Sequence, residues 1–176
     1  EENVSMILTN AHFCSSIENM PPLYALVAQD YKSVSSNPIK NAIPAEVLDY
    51  NEGYDLCIIQ ALGYVNPAQL GGSHIRGDNF EEVYVVGAPS GNFPIILKTH
   101  VSGYVIRKDG VLSPMYENGE DILFLSAMVF PGHSGSPVFN KDGDVIGLVY
   151  ASMSDYGALC ITASDIHKYL SEVSPL

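Results

Sequence analysis

Basic residues are scarce in this chain. It has 8 Lys and Arg against 20 Asp and Glu among 176 residues, a formal charge of −12. A surface that acidic repels phosphate backbones, so no nucleic-acid partner is expected. The same charge keeps a protein in solution, and it also attracts basic peptide segments; composition does not separate the two uses. Long apolar runs are missing as well. None approaches the roughly 18 residues that a membrane-crossing helix needs, so no membrane partner is expected. The chain opens with Glu1-Glu2 and not with a basic n-region, so no signal peptide is read in it.

Cysteine is rare: Cys14, Cys57 and Cys160, an odd count, each inside an apolar run. There is no Cys-x-x-Cys pair, which argues against a zinc site. His74, His100 and His167 show no pairing with carboxylates at metal-ligand spacing and read as surface or structural. No metal and no cofactor are expected. The favoured reading of the cysteines is buried thiols, which leans toward a reducing, cytoplasmic compartment. Repeats and low-complexity stretches are absent.

What is present is a β pattern. Val, Ile and Tyr are abundant, and these residues suit pleated, half-buried surfaces. Short apolar runs recur at 6–13, 23–29, 55–62, 82–88, 94–97, 101–106, 122–130, 137–139, 145–151 and 158–162. Turn formers separate them, at 35–38, 51–53, 108–110, 117–119 and 141–143. Many short strands so spaced predict an all-β barrel or sandwich. Residues 66–80 are richest in breakers and read as a linker between two halves, 1–65 and 81–176. One helix is predicted, at the end, with Ser164 as its N-cap and Ile166, Tyr169 and Leu170 on one face.

The segment Pro131-Gly132-His133-Ser134-Gly135-Ser136-Pro137 sets a serine between two glycines, between apolar strands. A tight turn there exposes a hydroxyl beside free backbone N–H groups. A serine is a weak nucleophile and needs a base within hydrogen-bond reach. His12, in Met6-Ile7-Leu8-Thr9-Asn10-Ala11-His12-Phe13-Cys14, can supply it, and Asp55, in Tyr54-Asp55-Leu56-Cys57-Ile58-Ile59, can orient that base. Asp49 also precedes a strand-like stretch. Asp55 is preferred because Leu56 to Ile59 continue it as a buried strand, and a carboxylate there is costly without a partner.

These segments together resemble the trypsin-like (chymotrypsin-fold) serine peptidases, in their HtrA-like and viral branch. Residues 7–12 look like the family's histidine motif, 55–59 its aspartate strand and 132–137 its G-x-S-G-x-P motif. Val85 to Gly91 and Val101-Ser102-Gly103 look like segments that open the second barrel. Asp142 to Leu148 looks like the hairpin after the serine. The resemblance implies two six-stranded Greek-key barrels and a short C-terminal helix. The first barrel, 1–65, would carry His12 and Asp55; the second, 81–176, would carry Ser134. Only Glu1 to Ser5 precede the histidine motif, so the first barrel is expected to lack its N-terminal strands.

The resemblance also implies roles. Ser134 is the nucleophile, His12 the base and Asp55 its orienting acid, with Gly132 and Ser134 N–H groups as the oxyanion hole. Met128, Tyr150, Ala151 and Ser152 are expected to bind substrate, with Ala158 and Cys160 nearby. None is acidic, so cleavage is expected after uncharged side chains and not after Lys or Arg. His133 stands where secreted relatives carry an aspartate that captures a new N-terminus, so no zymogen switch of that kind is expected. Secreted relatives also place a half-cystine directly after the histidine, where Phe13 stands. Cys14 and Cys57 each lie two residues past a triad member, so a bridge between them is the alternative to free thiols. The function implied is a serine endopeptidase with a polypeptide substrate. The alternatives are a catalytically silent peptide-binding module and a structural, capsid-like protein.

Overall fold

The computed structural model describes residues 4–18, 27–28, 43–91, 94–106, 118–153 and 155–173. The expected strand at 23–29, beyond 27–28, and the turns at 35–38 and 108–110 lie outside them, as does residue 117.

The N-terminal half is an antiparallel sheet of β1 (Ser5–Thr9), β2 (Val27–Ala28), β3 (Ile43–Asn51) and β4 (Leu56–Ala61), in the order β1-β4-β3-β2. Among the described residues this sheet does not close on itself, so the first six-stranded barrel is not seen. The strand β4 opens on four apolar residues, Leu56 to Ile59, all buried, because both of its faces are covered. Leu56 and Ile58 face the centre of the protein, while Cys57 and Ile59 face a small cluster with Cys14. That alternation is the period of two that a strand imposes. The strand β3 was not expected. Pro44, Glu46 and Asp49 interrupt its apolar pattern, and its pairing along β4 from Ala45↔Ala61 to Asn51↔Leu56 overrides them.

The C-terminal half holds β5 (Gln69–Leu70), β6 (Glu82–Gly87), β7 (Ile95–Ile106), β8 (Asp121–Leu125), β9 (Pro137–Phe139), β10 (Asp144–Met153) and β11 (Gly157–Thr162). Six of them run β11-β8-β7-β6-β9-β10 and close through β10–β11 pairing into a barrel; β5 adds to the outside of β10 in parallel. The two runs expected at 94–97 and 101–106 are one strand, with a register shift between Val101 and Gly103. Val83, Val85, Val101, Leu123, Leu125, Val138 and Ile146 fill the barrel.

Among the described residues two α-helices complete the fold, not one. The first, α1 (Ala11–Glu18), takes over the end of the predicted 6–13 strand. Ala11 and Cys14 are buried and three apart, the spacing of one helical face. The second, α2 (Ala163–Glu172), starts earlier than expected. Its N-cap is Thr162, whose hydroxyl accepts from the Asp165 N–H at 3.3 Å, so Ser164 lies inside the first turn.

The cysteine expectation is corrected. Cys14 and Cys57 form a disulfide between α1 and β4, with Cα atoms 6.5 Å apart. Burial of both in one apolar cluster brings them together. Cys160 is a free buried thiol, and desolvation pushes its pKa up.

Candidate active site

His12 occupies the first turn of α1, and Asp55 the tight turn ahead of β4. Their side chains meet: His12 Nδ1 is 2.9 Å from Asp55 Oδ2 and 3.0 Å from Oδ1. Asp55 Oδ1 also accepts from the His12 backbone N–H at 2.9 Å. One carboxylate therefore fixes both the ring and the start of the helix that carries it, and negative charge is favoured at that helix end. Asp55 is 2 % exposed, so these bonds satisfy a charge that burial would otherwise penalise. Its backbone is left-handed, with φ of 51°. Asn10, fully buried, donates from Nδ2 to the Asp55 carbonyl at 3.1 Å and holds that turn. The hydrogen bond to Asp55 raises the His12 pKa; partial burial opposes the rise and the Asp55 charge adds to it. Asp49 lies elsewhere, accepting from the Tyr169 hydroxyl at 2.7 Å.

Ser134 sits on two consecutive turns that share His133. In the first, Phe130 to His133, Pro131 is second and Gly132 third with φ of 99°, and the His133 N–H donates to the Phe130 carbonyl at 3.0 Å. In the second, His133 to Ser136, Ser134 is second and Gly135 third with φ of 82°, and the Ser136 N–H donates to the His133 carbonyl at 2.9 Å. Both have the type II pattern, which requires positive φ at the third position. The two central residues of such a turn do not use their N–H groups to close it. Pro131 has none, and Gly135 donates to the Val149 carbonyl at 2.8 Å. Among the described residues, this leaves the N–H groups of Gly132 and Ser134 without an acceptor, flanking the exposed Ser134 side chain.

Other loops hold the paired turns in place. Ser90 donates its N–H to the Pro131 carbonyl at 2.8 Å. A Cβ on Gly132 would come within 2.6 Å of the Ala88 carbonyl, so only glycine fits there. A Cβ on Gly135 would lie 3.6 Å from Thr9 Cα and would run into the Thr9 hydroxyl. The serine loop thus packs against the end of β1, three residues before His12. No hydrogen bond joins His12 to Ser134 among the described residues.

Two cavities open beside Ser134. The smaller, about 300 Å³, is lined by Val129, Phe130, Pro131, His133, Ser134, Val149, Ala151 and Ser152. The larger, about 720 Å³ and mostly apolar, reaches from Ser134 past Gly87 and Ile96 to Val65 and Asn66. Of the residues expected to bind substrate, Ala151 and Ser152 line the smaller cavity. Met128 and Tyr150 do not. Met128 is 54 % exposed, and Tyr150 is buried in the core between the halves. The register of β10 on β11 shifts between Val149 and Ala151, so Tyr150 falls in a bulge that alternation alone cannot reveal. Val129, Phe130, Asn10 and Ser90 were not singled out in the sequence. Asn10 carried a signal, a short polar residue directly before a helix start; the others did not.

Paired turns presenting a serine, a buried aspartate on a histidine and a closed six-stranded barrel define the class of trypsin-like peptidases. The chain matches the family described as Trypsin-like peptidase domain over residues 1–148, and it belongs to that family. No curated protein matches it. Among solved structures, it is similar to the Rv3671c protease of M. tuberculosis in its active form, at 18% identity, covering 97% of this chain and 70% of that one, with a TM-score of 0.74. The inactive form of the same protease gives 17% identity, 97% and 79% coverage and a TM-score of 0.74. The HtrA-type protease AlgW with a decapeptide gives 19% identity, 96% and 49% coverage and a TM-score of 0.69. At these identities the likeness establishes the fold.

Proposed function

We propose that this peptidase is a serine endopeptidase working through Ser134, His12 and Asp55. The observation that carries the reading is the His12–Asp55 pair set at the end of β1, against which the serine loop packs. Ser134 Oγ attacks the peptide carbonyl and His12 Nε2 takes its proton. An acyl-enzyme forms as the same proton passes to the leaving amine, and water then hydrolyses the ester. Asp55 holds the ring with Nδ1–H toward itself, leaving Nε2 free to act as base. The Gly132 and Ser134 N–H groups receive the oxyanion. The His12–Ser134 hydrogen bond closes when substrate arrives, as such bonds are often long without it.

The smaller cavity takes the side chain before the scissile bond. Its walls, which include Val129, Val149, Ala151 and Ser152, present no acidic side chain, so uncharged side chains of modest size fit it best. Beyond Leu148, β10 has β11 on one side and no strand on the other among the described residues, so an extended peptide can add there. A serine-reactive phosphonate carrying a small apolar side chain should label the protein, and Ser134→Ala should abolish labelling. A peptide library should show cleavage after uncharged residues. Labelling that survives Ser134→Ala, or preferred cleavage after Lys or Arg, would overturn the respective part.

A further inference from the structure

His133 has a side chain that this mechanism does not use. It is 1 % exposed, beneath the two turns it joins. Its Nδ1 lies 3.1 Å from both the Phe130 N–H nitrogen and the Phe130 carbonyl oxygen. The carbonyl already receives the His133 backbone N–H, whereas the Phe130 N–H has Nδ1 as its acceptor. Nδ1 can accept from that N–H only without a proton of its own, so the arrangement that pairs the Phe130 N–H puts the ring proton on Nε2. That atom is buried without a hydrogen-bond partner among the described residues. Burying an unsatisfied donor is unfavourable, so the acceptor bond and the packing must hold the ring there. The packing is visible. The Phe130 ring lies on one side, with centroids 6.4 Å apart, and on another side Gly87 leaves room that a Cβ, 2.9 Å from His133 Cδ2, would take.

We propose that His133 is a positioning residue for the oxyanion hole, an inference that rests on the serine-peptidase reading above. Its backbone closes the first turn and opens the second. Its imidazole, in one fixed tautomer, ties the Phe130 N–H to the far end of the first turn. The first turn is thereby held in the form that leaves the Gly132 N–H beside Ser134. In the competing type I form the central peptide is turned over, and that N–H points away. The imidazole does not touch the reacting atoms; it acts through Phe130 and Gly132.

Conservative variants test the idea, because asparagine can set Oδ1 where Nδ1 stands, whereas glutamine and leucine cannot. His133→Asn should keep kcat within about fivefold, and His133→Gln and His133→Leu should lose about 10²–10³-fold in kcat, the usual cost of one oxyanion donor, with KM little changed. A second readout does not depend on turnover. Nitrogen-15 spectra of the full chain should show His133 protonated at Nε2 only, and the Phe130 amide should exchange slowly in the wild type and in His133→Asn but fast in His133→Gln. Equal kcat in all variants, equal loss in His133→Asn and His133→Gln, or a proton on Nδ1 would overturn the proposal. Failure of the peptidase reading looks different: no hydrolysis by the wild type, with the tautomer and exchange pattern intact.

Discussion

The His12–Asp55 contact has opposite consequences for stability and for activity. Asp55 raises the His12 pKa, so the folded state holds that proton more tightly than the unfolded chain does. The contact's contribution to stability is full below the ordinary histidine value of 6.5 and fades as pH rises through the higher folded value. Catalysis needs the neutral ring and should rise over that same window. A plot of kcat/KM against pH should therefore show an ascending midpoint above 6.5. In Asp55→Asn that midpoint should fall, and the plateau rate should drop by about 10⁴-fold, because the wrong tautomer is favoured. An unchanged midpoint in the variant would mean that Asp55 does not govern this histidine. The pair's identity was legible in the sequence through Asp55 leading the apolar run Leu56 to Ile59. Asn10's hold on the Asp55 carbonyl was not, since it joins residues 45 positions apart.

The disulfide works on an element. It ties α1 to β4, and those two elements carry His12 and follow Asp55. The crosslink closes a loop of 43 residues, for which chain entropy predicts about 4 kcal/mol of stabilisation. Reductant should lower the denaturant midpoint by an amount of that order, and Cys14→Ala/Cys57→Ala should show the lowered midpoint with no further response to reductant. A wild-type midpoint indifferent to reductant would mean that the bridge adds nothing. Sequence reading favoured thiols here because composition gives only a count; the partner is chosen when helix and strand share one apolar cluster. The same limit explains α1 itself. Its apolar residues follow those of β1 after only Thr9 and Asn10, and the turn into a helix at Asn10 separates them.

Across the two halves, one core does the joining. Tyr54, Leu56 and Ile58 of the N-terminal half pack with Ile122, Leu148, Tyr150, Leu159 and Ile161 of the barrel, and α2 seals them with Ile166 and Tyr169. The Tyr54 and Tyr169 rings lie 6.1 Å apart, and their hydroxyls donate to Glu172 at 2.9 Å and Asp49 at 2.7 Å. A shared core should make the halves unfold together. Tyr169→Phe removes the hydroxyl that donates to the Asp49 carboxylate and carbonyl and should cost about 1.5–3 kcal/mol; Tyr169→Ala also opens a cavity and should cost about 3–5 kcal/mol. Calorimetry should show a single transition for both. Two separated transitions in the wild type would show that the halves are independent and that α2 does not couple them.

Local chemistry was readable without coordinates. Pro131-Gly132 and Ser134-Gly135 specify tight turns because glycine adopts the positive φ each turn needs without strain, and turns of that kind leave amides free beside the serine. The unbroken apolar run after Asp55 likewise specifies a strand buried on both faces. Folding in three dimensions settled everything that depends on distant partners: the bulge that turned Tyr150 into the core and left Ala151 and Ser152 at the cavity, the Cys14–Cys57 bond, and the burial of His133 under its own turns. Turn and strand preferences act over a few neighbouring residues, whereas these outcomes depend on which surfaces meet when two sheets and two helices exclude water from a common core.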